Sequence, residues 1–215
     1  MSSVWKKGGP QRQNQQQEQH EQHEAGVELW FQNPIYVVNN VLAEDEIKNL
    51  IEYCNQIKIQ YGLSNQQWES NVNTTFGRYD PAKDEKFKNL FNNIDKHVQQ
   101  FASAYESYEP YENNGSWLNF NSRDQYQEIH IHPESIFSAV FFLQAPENSG
   151  NLFFKDPRLD MIPVKKPKKE NFLNYEKVFY KPEPNKLVIF RSYLPHGVAL
   201  GENEKDRISL SVNYK

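Results

Sequence analysis

Apolar residues recur at helical spacing in two stretches of the first half of the chain. In AEDEIKNLIEYCNQIKIQ, residues 43–60, they fall every three or four positions, as they do on one face of a helix. The acidic residues 44–46 would occupy the first turn, where the helix dipole favours negative charge. The sequence therefore predicts a helix with an apolar stripe of Ile47, Leu50, Ile51, Cys54 and Ile57.

A second helix is predicted to begin at residues 80 and 81. Asp80 suits an N-cap position, and Pro81 suits the first helical position, where the missing N–H of proline costs no hydrogen bond. His97 lies beside the apolar stripe of this helix and is interpreted as a packed or surface histidine. The stripe consists of Phe87, Leu90, Phe91, Ile94, Val98, Phe101 and Tyr105.

From residue 117 onward the pattern changes to short apolar or alternating segments, which are typical of strands. Gly, Pro and Asn separate these segments and indicate turns. An opening strand near residues 27–41 and a short strand within residues 71–79 precede them. The segments are SWLNFN, YQEIHIH, IFSAVFFL, NLFF, KVFY, KLVIF and RISLSVN. The predicted fold is mainly β, a jelly roll with the two N-terminal helices packed on one face.

Residues 1–26 form a Gln-rich tract with almost no apolar content. Such a tract buries too little apolar surface to become ordered. We therefore predict a disordered tail over residues 1–26 and one domain over residues 27–215. His20 and His23 lie in the tail and are interpreted as solvated residues rather than a metal site.

Composition and charge narrow the class of protein. The formal net charge of −4 gives no electrostatic footprint for nucleic acid. A single cysteine, Cys54, excludes an intrachain disulfide and a CxxC zinc site, and suits a reducing compartment. The chain has no apolar run long enough to span a bilayer, and its start lacks the apolar core of a signal peptide. We expect a soluble cytoplasmic protein (in the host cytoplasm, if the source is viral) without nucleic-acid or membrane partners. The oligomeric state stays open, with a homodimer as one option.

The stretch QEIHIHPES, residues 127–135, contains two histidines two residues apart. Residues with this spacing on a strand point to the same face, so both imidazoles could contact one ion. Ile129 and Ile131 alternate with them and are predicted to face the core, while the imidazoles face the other way. The alternative to a metal site is that the two histidines are ordinary strand residues, partly exposed on an open face of the sheet. A metal site therefore needs a third ligand from elsewhere in the chain.

His196, in FRSYLPHGV, is the candidate third ligand. It follows the apolar segment KLVIF, and between Pro195 and Gly197 it is predicted to lie on a turn and to reach inward. Two ligands on one strand and a third from a distant segment form a facial triad, which leaves coordination positions open. The usual triad has two histidines and one carboxylate, whereas here the middle position holds His132.

Arg207 and Ser209, in DRISLSVN, lie on one face of the last predicted strand, because they alternate with apolar residues. An arginine fork beside a hydroxyl is well suited to hold a carboxylate. The alternative is a surface arginine on an edge strand. The position of Arg207 eleven residues after His196 favours the carboxylate clamp. Asn119 and Asn121, in WLNFN, are further candidates to neighbour the pocket, with packing as the alternative.

A histidine pair, a distal histidine and then Arg-x-Ser resemble the iron(II)/2-oxoglutarate-dependent oxygenases. The segments SWLNFN, HIHPESIFSAVFFL, GNLFFKDPR and LVIFRSYLPHGV are similar to a small group of these oxygenases from bacteria and viruses of marine bacteria. The resemblance extends over about residues 29–214, which is nearly the whole predicted domain. It implies a double-stranded β-helix, a jelly-roll core with supporting helices.

The resemblance also implies a ligand set and a chemistry. His130, His132 and His196 would bind iron(II), and Arg207 with Ser209 would hold the distal carboxylate of the co-substrate 2-oxoglutarate. With O2, such a centre hydroxylates a C–H bond while 2-oxoglutarate loses CO2 and becomes succinate. Glu134 remains an alternative second ligand, since His132-Pro133-Glu134 also reads as HxE.

Three functional hypotheses follow. The first is a 2-oxoglutarate-dependent dioxygenase, a hydroxylase whose substrate is a protein or peptide side chain such as proline, by analogy with prolyl hydroxylases. The second is a non-catalytic jelly-roll binding or assembly module, which would explain the absent carboxylate. The third is a zinc enzyme, because three histidines with an open position also suit zinc-bound water.

Overall fold

The computed structural model describes residues 31–64, 68–70, 72–106, 110–158 and 167–215. The predicted tail, its boundary at residue 27 and the first part of the predicted opening strand lie outside these residues and stay predictions. Among the described helices, none is long and apolar enough to cross a membrane.

Helix α1, Glu44–Tyr61, forms where the apolar periodicity predicts it. Ile47, Leu50, Cys54 and Ile57 are buried, and Ile51 packs half-buried against the same core. Since four of the five predicted stripe residues are fully buried, the predicted face of this helix is confirmed.

The second helix begins later than predicted. Asp80 caps a 3-10 turn, Pro81–Lys83, by accepting a hydrogen bond from the Ala82 N–H at 3.2 Å. Asp84 then caps another 3-10 turn, Glu85–Phe87, because its side chain accepts from the Lys86 N–H at 2.9 Å. Helix α2 spans Lys88–Ser103, so Tyr105 lies past its end. A second capping aspartate four residues after the first interrupts the helix that Asp80 was predicted to start.

Within the part of the chain that the structure describes, ten strands form two antiparallel sheets. The major sheet has the order β1-β8-β5-β10-β3-β2, and the minor sheet has the order β4-β9-β6-β7. The strands are β1 Ile35–Asn39, β2 Asn73–Thr74, β3 Asn113–Asn121, β4 Gln127–His130, β5 Phe137–Gln144, β6 Leu152–Lys155, β7 Lys177–Tyr180, β8 Lys186–Arg191, β9 His196–Val198 and β10 Arg207–Tyr214. The predicted mainly-β fold with N-terminal helices is confirmed.

The major sheet separates two different environments. Both helices pack on its outer face, in a core that includes Leu118, Phe137 and Leu210. Its inner face packs against the minor sheet, with a smaller core of Phe142, Leu152, Phe154, Val188, Phe190 and Leu194. This smaller core fills only part of the space between the sheets, and a cavity lined by both polar and apolar side chains occupies the remainder.

Strand β10 has a different chemistry on each face. Ile208, Leu210, Val212 and Tyr214 are at most 1% exposed and belong to the helix-side core. The alternate residues Arg207, Ser209, Ser211 and Asn213 line a cavity between the sheets. The alternation that predicts the strand also separates its structural residues from its polar inner residues.

Asn185 connects the turn before β8 to the segment before α1 by hydrogen bonds. Its side chain accepts a hydrogen bond from the Leu42 N–H at 2.9 Å and donates to the Leu42 carbonyl at 2.7 Å. Its backbone has φ of +65°, the left-handed region that asparagine tolerates better than alanine does. The residue therefore combines a special backbone conformation with two long-range hydrogen bonds.

We predict that Asn185→Ala lowers the free energy of unfolding by about 2–4 kcal/mol, from two lost hydrogen bonds and added backbone strain. Asn185→Gly should cost about 1 kcal/mol less, because glycine relieves the strain. Urea unfolding measures both values. Exposed Asn148, with φ of +60°, supplies the control, since Asn148→Ala tests strain without these hydrogen bonds. Equal losses for Asn185→Ala and Asn148→Ala would contradict a stabilising role for the Asn185 side chain.

Candidate metal centre

A cavity of about 470 Å³ lies between the two sheets. Its major-sheet wall comes from the inner residues of β3, β5 and β10, and its other wall comes from β4, β6 and β9. All five residues predicted as metal or co-substrate ligands line this cavity: His130, His132, His196, Arg207 and Ser209.

Three histidines converge on the minor-sheet side of the cavity. His130 ends β4 and His196 begins β9, and these two residues are directly paired across the strands. Their ring centroids lie 4.3 Å apart, and the His132 ring lies 5.1 Å from each of them. One donor atom from each ring lies within 4.8 Å of the others, so the three together could hold a metal ion.

The predicted orientation of the histidine strand is wrong. Ile129 and Ile131 are 44% and 46% exposed, whereas the imidazoles of His130 and His132 point into the protein. The minor sheet faces the major sheet on one side, and this inner face carries the histidines. The prediction that His196 lies on a turn also needs correction, because His196 opens the short strand β9.

Backbone carbonyls orient two of the imidazoles. The Nδ1 atom of His130 lies 2.8 Å from the Glu128 carbonyl, and the Nδ1 atom of His196 lies 2.8 Å from the Leu194 carbonyl. A carbonyl oxygen only accepts hydrogen bonds, so each Nδ1 carries the proton. The lone pair of Nε2 is then free to bind a metal, as in metal sites where a second shell fixes the histidine tautomer.

Burial keeps all three imidazoles neutral at physiological pH. It lowers the pKa of His130 and, together with the neighbouring His130, lowers the pKa of His132 to about 4. The pKa of His196 lies well below its usual range, mainly because of burial and then because of the other two histidines. Neutral imidazole is the form that binds metal ions.

Arg207 lies fully buried in the same cavity. Its Nη1 donates to the Gly150 carbonyl at 2.8 Å, and its Nη2 donates to Asn121 Oδ1 at 2.7 Å. Its Nε has no hydrogen-bond partner, and no carboxylate among the described residues pairs with it. Burial lowers the pKa of Arg207 to about 10, so the group remains charged at neutral pH. A buried cation without a counter-ion is energetically costly, and an anionic ligand would offset that cost.

The remaining candidates divide between the wall and the mouth of the cavity. Ser209 is 1% exposed, and both Asn119 and Asn121 line the wall, where Asn121 holds the arginine. Glu134 lies exposed at the mouth, where its backbone carbonyl accepts from Asn114 at 3.1 Å. Among the described residues, the group of converging donors consists of the three histidines, and Glu134 is outside it.

Two aromatic neighbours of the histidines could not be identified from the sequence. The Trp68 ring lies 5.1 Å from the His130 ring, and the Trp117 ring lies 5.8 Å from the His132 ring. Phe76 packs edge-on against Trp117 at 5.1 Å, near the mouth of the cavity. Trp68 and Phe76 come from a polar, Asn-rich region whose sequence carries no signal for a site.

Solved structures with the same fold support this architecture. A prolyl-4-hydroxylase from Pseudomonas putida is 15% identical, with a TM-score of 0.61 over 85% of this chain and 92% of that chain. HygX from Streptomyces hygroscopicus, solved with nickel, 2-oxoglutarate and hygromycin B, is 12% identical, with a TM-score of 0.59 over 85% and 82%. A 2OG-Fe(II) oxygenase family oxidoreductase from Burkholderia pseudomallei is 12% identical, with a TM-score of 0.56 over 84% of each chain. At these identities the likeness concerns the fold alone.

The family comparison concerns the part of the chain that builds the cavity. No curated protein matches the sequence. Residues 115–213, from the third residue of β3 to the last inward residue of β10, match the family model described as "Putative 2OG-Fe(II) oxygenase". The resemblance seen in the sequence is thereby confirmed over residues 115–213, which are similar to that oxygenase family.

Proposed function

We propose that this chain is an iron(II)- and 2-oxoglutarate-dependent dioxygenase. In this proposal His130, His132 and His196 bind the metal, while Arg207 and Ser209 bind the distal carboxylate of 2-oxoglutarate. One observation carries the proposal: three neutral imidazoles converge in the same cavity as a buried arginine that has no carboxylate partner among the described residues.

The donor set fits a divalent first-row metal. Imidazole nitrogen suits iron, and three protein ligands leave positions for small molecules. Because none of the three histidines is charged, the metal keeps its full double positive charge. A dianionic keto acid would place one carboxylate against the metal and the other against the guanidinium, and so would offset part of the total positive charge. The absence of a protein carboxylate therefore increases the electrostatic attraction for 2-oxoglutarate.

The protein's part in the reaction is binding and orientation. Iron and 2-oxoglutarate, when bound, supply the oxidising chemistry by which O2 hydroxylates a C–H bond. Arg207 anchors the co-substrate, and it is itself held by Asn121 and the Gly150 carbonyl. Apolar side chains such as Phe142 and Phe190 form part of the cavity wall and keep that part of the wall free of polar groups.

The proposed substrate is a protein or peptide side chain, such as proline. The cavity has an open mouth, and Trp68, Phe76, Ile131 and Trp117 are among the residues that line it. Aromatic rings of this kind pack well against an apolar ring. The similar fold of the Pseudomonas putida prolyl-4-hydroxylase supports this substrate class by analogy.

A zinc enzyme is the second candidate, because three neutral histidines with an open position also match catalytic zinc sites. The buried Arg207 favours the oxygenase, since zinc-activated water needs no carboxylate clamp. A non-catalytic jelly-roll module is the third candidate, and it would require neither metal nor co-substrate turnover.

We predict that Arg207→Gln weakens 2-oxoglutarate binding by at least about 30-fold, because removing one partner of a buried charge pair costs about 2–5 kcal/mol. Calorimetric titration of anaerobic, iron(II)-loaded protein measures this, and charge-transfer absorbance of the bound keto acid provides a second readout. Arg158→Gln is the control, since Arg158 is exposed and paired with Asp156 at 2.8 Å. Unchanged affinity in Arg207→Gln would refute the proposed clamp.

We predict that the wild-type protein converts 2-oxoglutarate to succinate with iron(II) but not with zinc, and that His196→Ala abolishes this turnover. The matched control is His97→Ala, because His97 lies on α2 and contacts Tyr36 rather than the cavity. Hydrolytic activity with zinc and no succinate would favour the zinc enzyme. Failure to bind any divalent metal would favour the binding module.

A further inference from the structure

His132 differs from the other two histidines in what its Nδ1 contacts. The Nδ1 atoms of His130 and His196 face backbone carbonyls, which can only accept. The Nδ1 atom of His132 lies 3.3 Å from Nδ2 of Asn213, a side-chain amide that can donate from one end and accept at the other. The tautomer of His132 is therefore not determined by the backbone.

The orientation of the Asn213 amide decides which nitrogen of His132 carries the proton. As the structure has it, Nδ2 of Asn213 faces the ring and Oδ1 accepts from Ser138 Oγ at 2.9 Å. In this orientation the amide donates to Nδ1, and the ring proton resides on Nε2, where it blocks a metal. Half a turn of the amide brings Oδ1 to the ring, so that Nδ1 carries the proton and the Nε2 lone pair is free.

The neighbouring hydroxyls satisfy both orientations. The Ser138 and Ser192 hydroxyls are 2.8 Å apart, are 2% and 0% exposed, and either can be the donor. When Asn213 presents Oδ1 to Ser138, the Ser138 hydroxyl donates to the amide and accepts from Ser192. When Asn213 presents Nδ2, Ser138 accepts from the amide and donates to Ser192. Reversing the direction of this chain leaves these buried polar groups paired.

The main chain keeps the ring in place during such a reversal. The His132 N–H donates to the Ser192 carbonyl at 2.9 Å, which holds the segment after β4 beside the end of β8. Asn213 pairs with Ser138 across β10 and β5, so the amide and the first hydroxyl are held in register. The amide and hydroxyl rotations need no movement of the backbone.

We propose that Asn213, acting through the Ser138–Ser192 hydroxyl pair, is a positioning residue that sets the tautomer of His132. The metal-free tautomer has Nδ2 of Asn213 against the ring, and the metal-binding tautomer has Oδ1 there. This inference rests on the proposed function, because it assumes that His132 is the middle metal ligand. It explains how a histidine serves where a carboxylate, which has no tautomers, is usual.

Three variants test the role of Asn213. Asn213→Asp presents only acceptor atoms, so it should hold the proton on Nδ1 and bind cobalt(II) at least as tightly as the wild-type protein does. Asn213→Leu keeps the approximate shape but removes both polar ends, and should weaken cobalt(II) binding about 10- to 100-fold. Ser211→Ala is the matched control, since Ser211 has the same strand and face but accepts from Asn119 at 3.0 Å.

Two readouts separate this inference from the proposed function. Cobalt(II) titration gives the affinity and the ligand-field spectrum, while nitrogen-15 NMR of the metal-free protein identifies the His132 tautomer. We expect the Nδ1-protonated form to be more populated in Asn213→Asp than in the wild type. Wild-type cobalt affinity in Asn213→Leu, or a His132 tautomer unaffected by Asn213→Asp, would overturn the inference. Failure of the wild-type protein to bind cobalt(II) would instead count against the proposed function. The NMR comparison would still test whether Asn213 sets the tautomer of His132.

Discussion

The alternation of side chains along β10 is the constraint on which both the core and the candidate site depend. The strand lies between β5 and β3 in the major sheet, so both of its edges are paired. Its apolar residues are held by the helix layer, and its polar residues consequently point towards the minor sheet. A shift of one residue would place Arg207 among the apolar side chains of the helix core and Ile208 in the cavity. Burial on one face thus determines the chemistry on the other.

The electrostatic balance of the cavity is unusual for the space between two packed sheets. Its histidines are neutral, and its one buried arginine is charged without a paired carboxylate in the described chain. Solvating that guanidinium with an amide and a carbonyl reduces the desolvation cost but leaves the charge uncompensated. An anionic ligand would supply the missing charge, as the proposed binding of a 2-oxoglutarate carboxylate requires.

The sequence predicts well whatever depends on local periodicity. The face of α1, the strands of the jelly roll and the side of β10 that carries Arg207 all follow from spacing and are found in the structure. The predicted orientation of β4 is wrong. Apolar Ile129 and Ile131 suggest that they are buried, whereas both are exposed and the histidines lie on the inner face of the sheet. Strand β9 was missed because three residues beside a proline carry no periodic signal. The second helix began late because a further capping aspartate at residue 84 competes with the first.

Contacts between distant segments could not be predicted in this way. Trp68 reaches His130 from a polar loop, and Asn213 reaches His132 across 81 positions of the chain. Neither residue type at its position indicates a role, because asparagine and tryptophan occur widely in strands and loops. The pairing of β10 with β5 and the hydrogen bond from the His132 N–H to the Ser192 carbonyl bring Asn213 to His132. The first ligands of a site can be read from spacing, whereas the groups that orient them depend on the tertiary fold.

Close backbone packing at two glycines helps to place the site at this edge of the minor sheet. A side chain at Gly197 would come within 2.6 Å of the Gln127 carbonyl on β4 and 2.8 Å of the Phe153 ring on β6. Any larger residue there would require β9 to move away from the Gln127 carbonyl of β4, the strand that carries His130, and would also require the Phe153 ring to move. Gly150 has a similar constraint, because an added Cβ would overlap the Ala199 carbonyl, and its own carbonyl holds Arg207. Two glycines thus allow the backbone to approach closely enough for the histidines and the arginine to share one cavity.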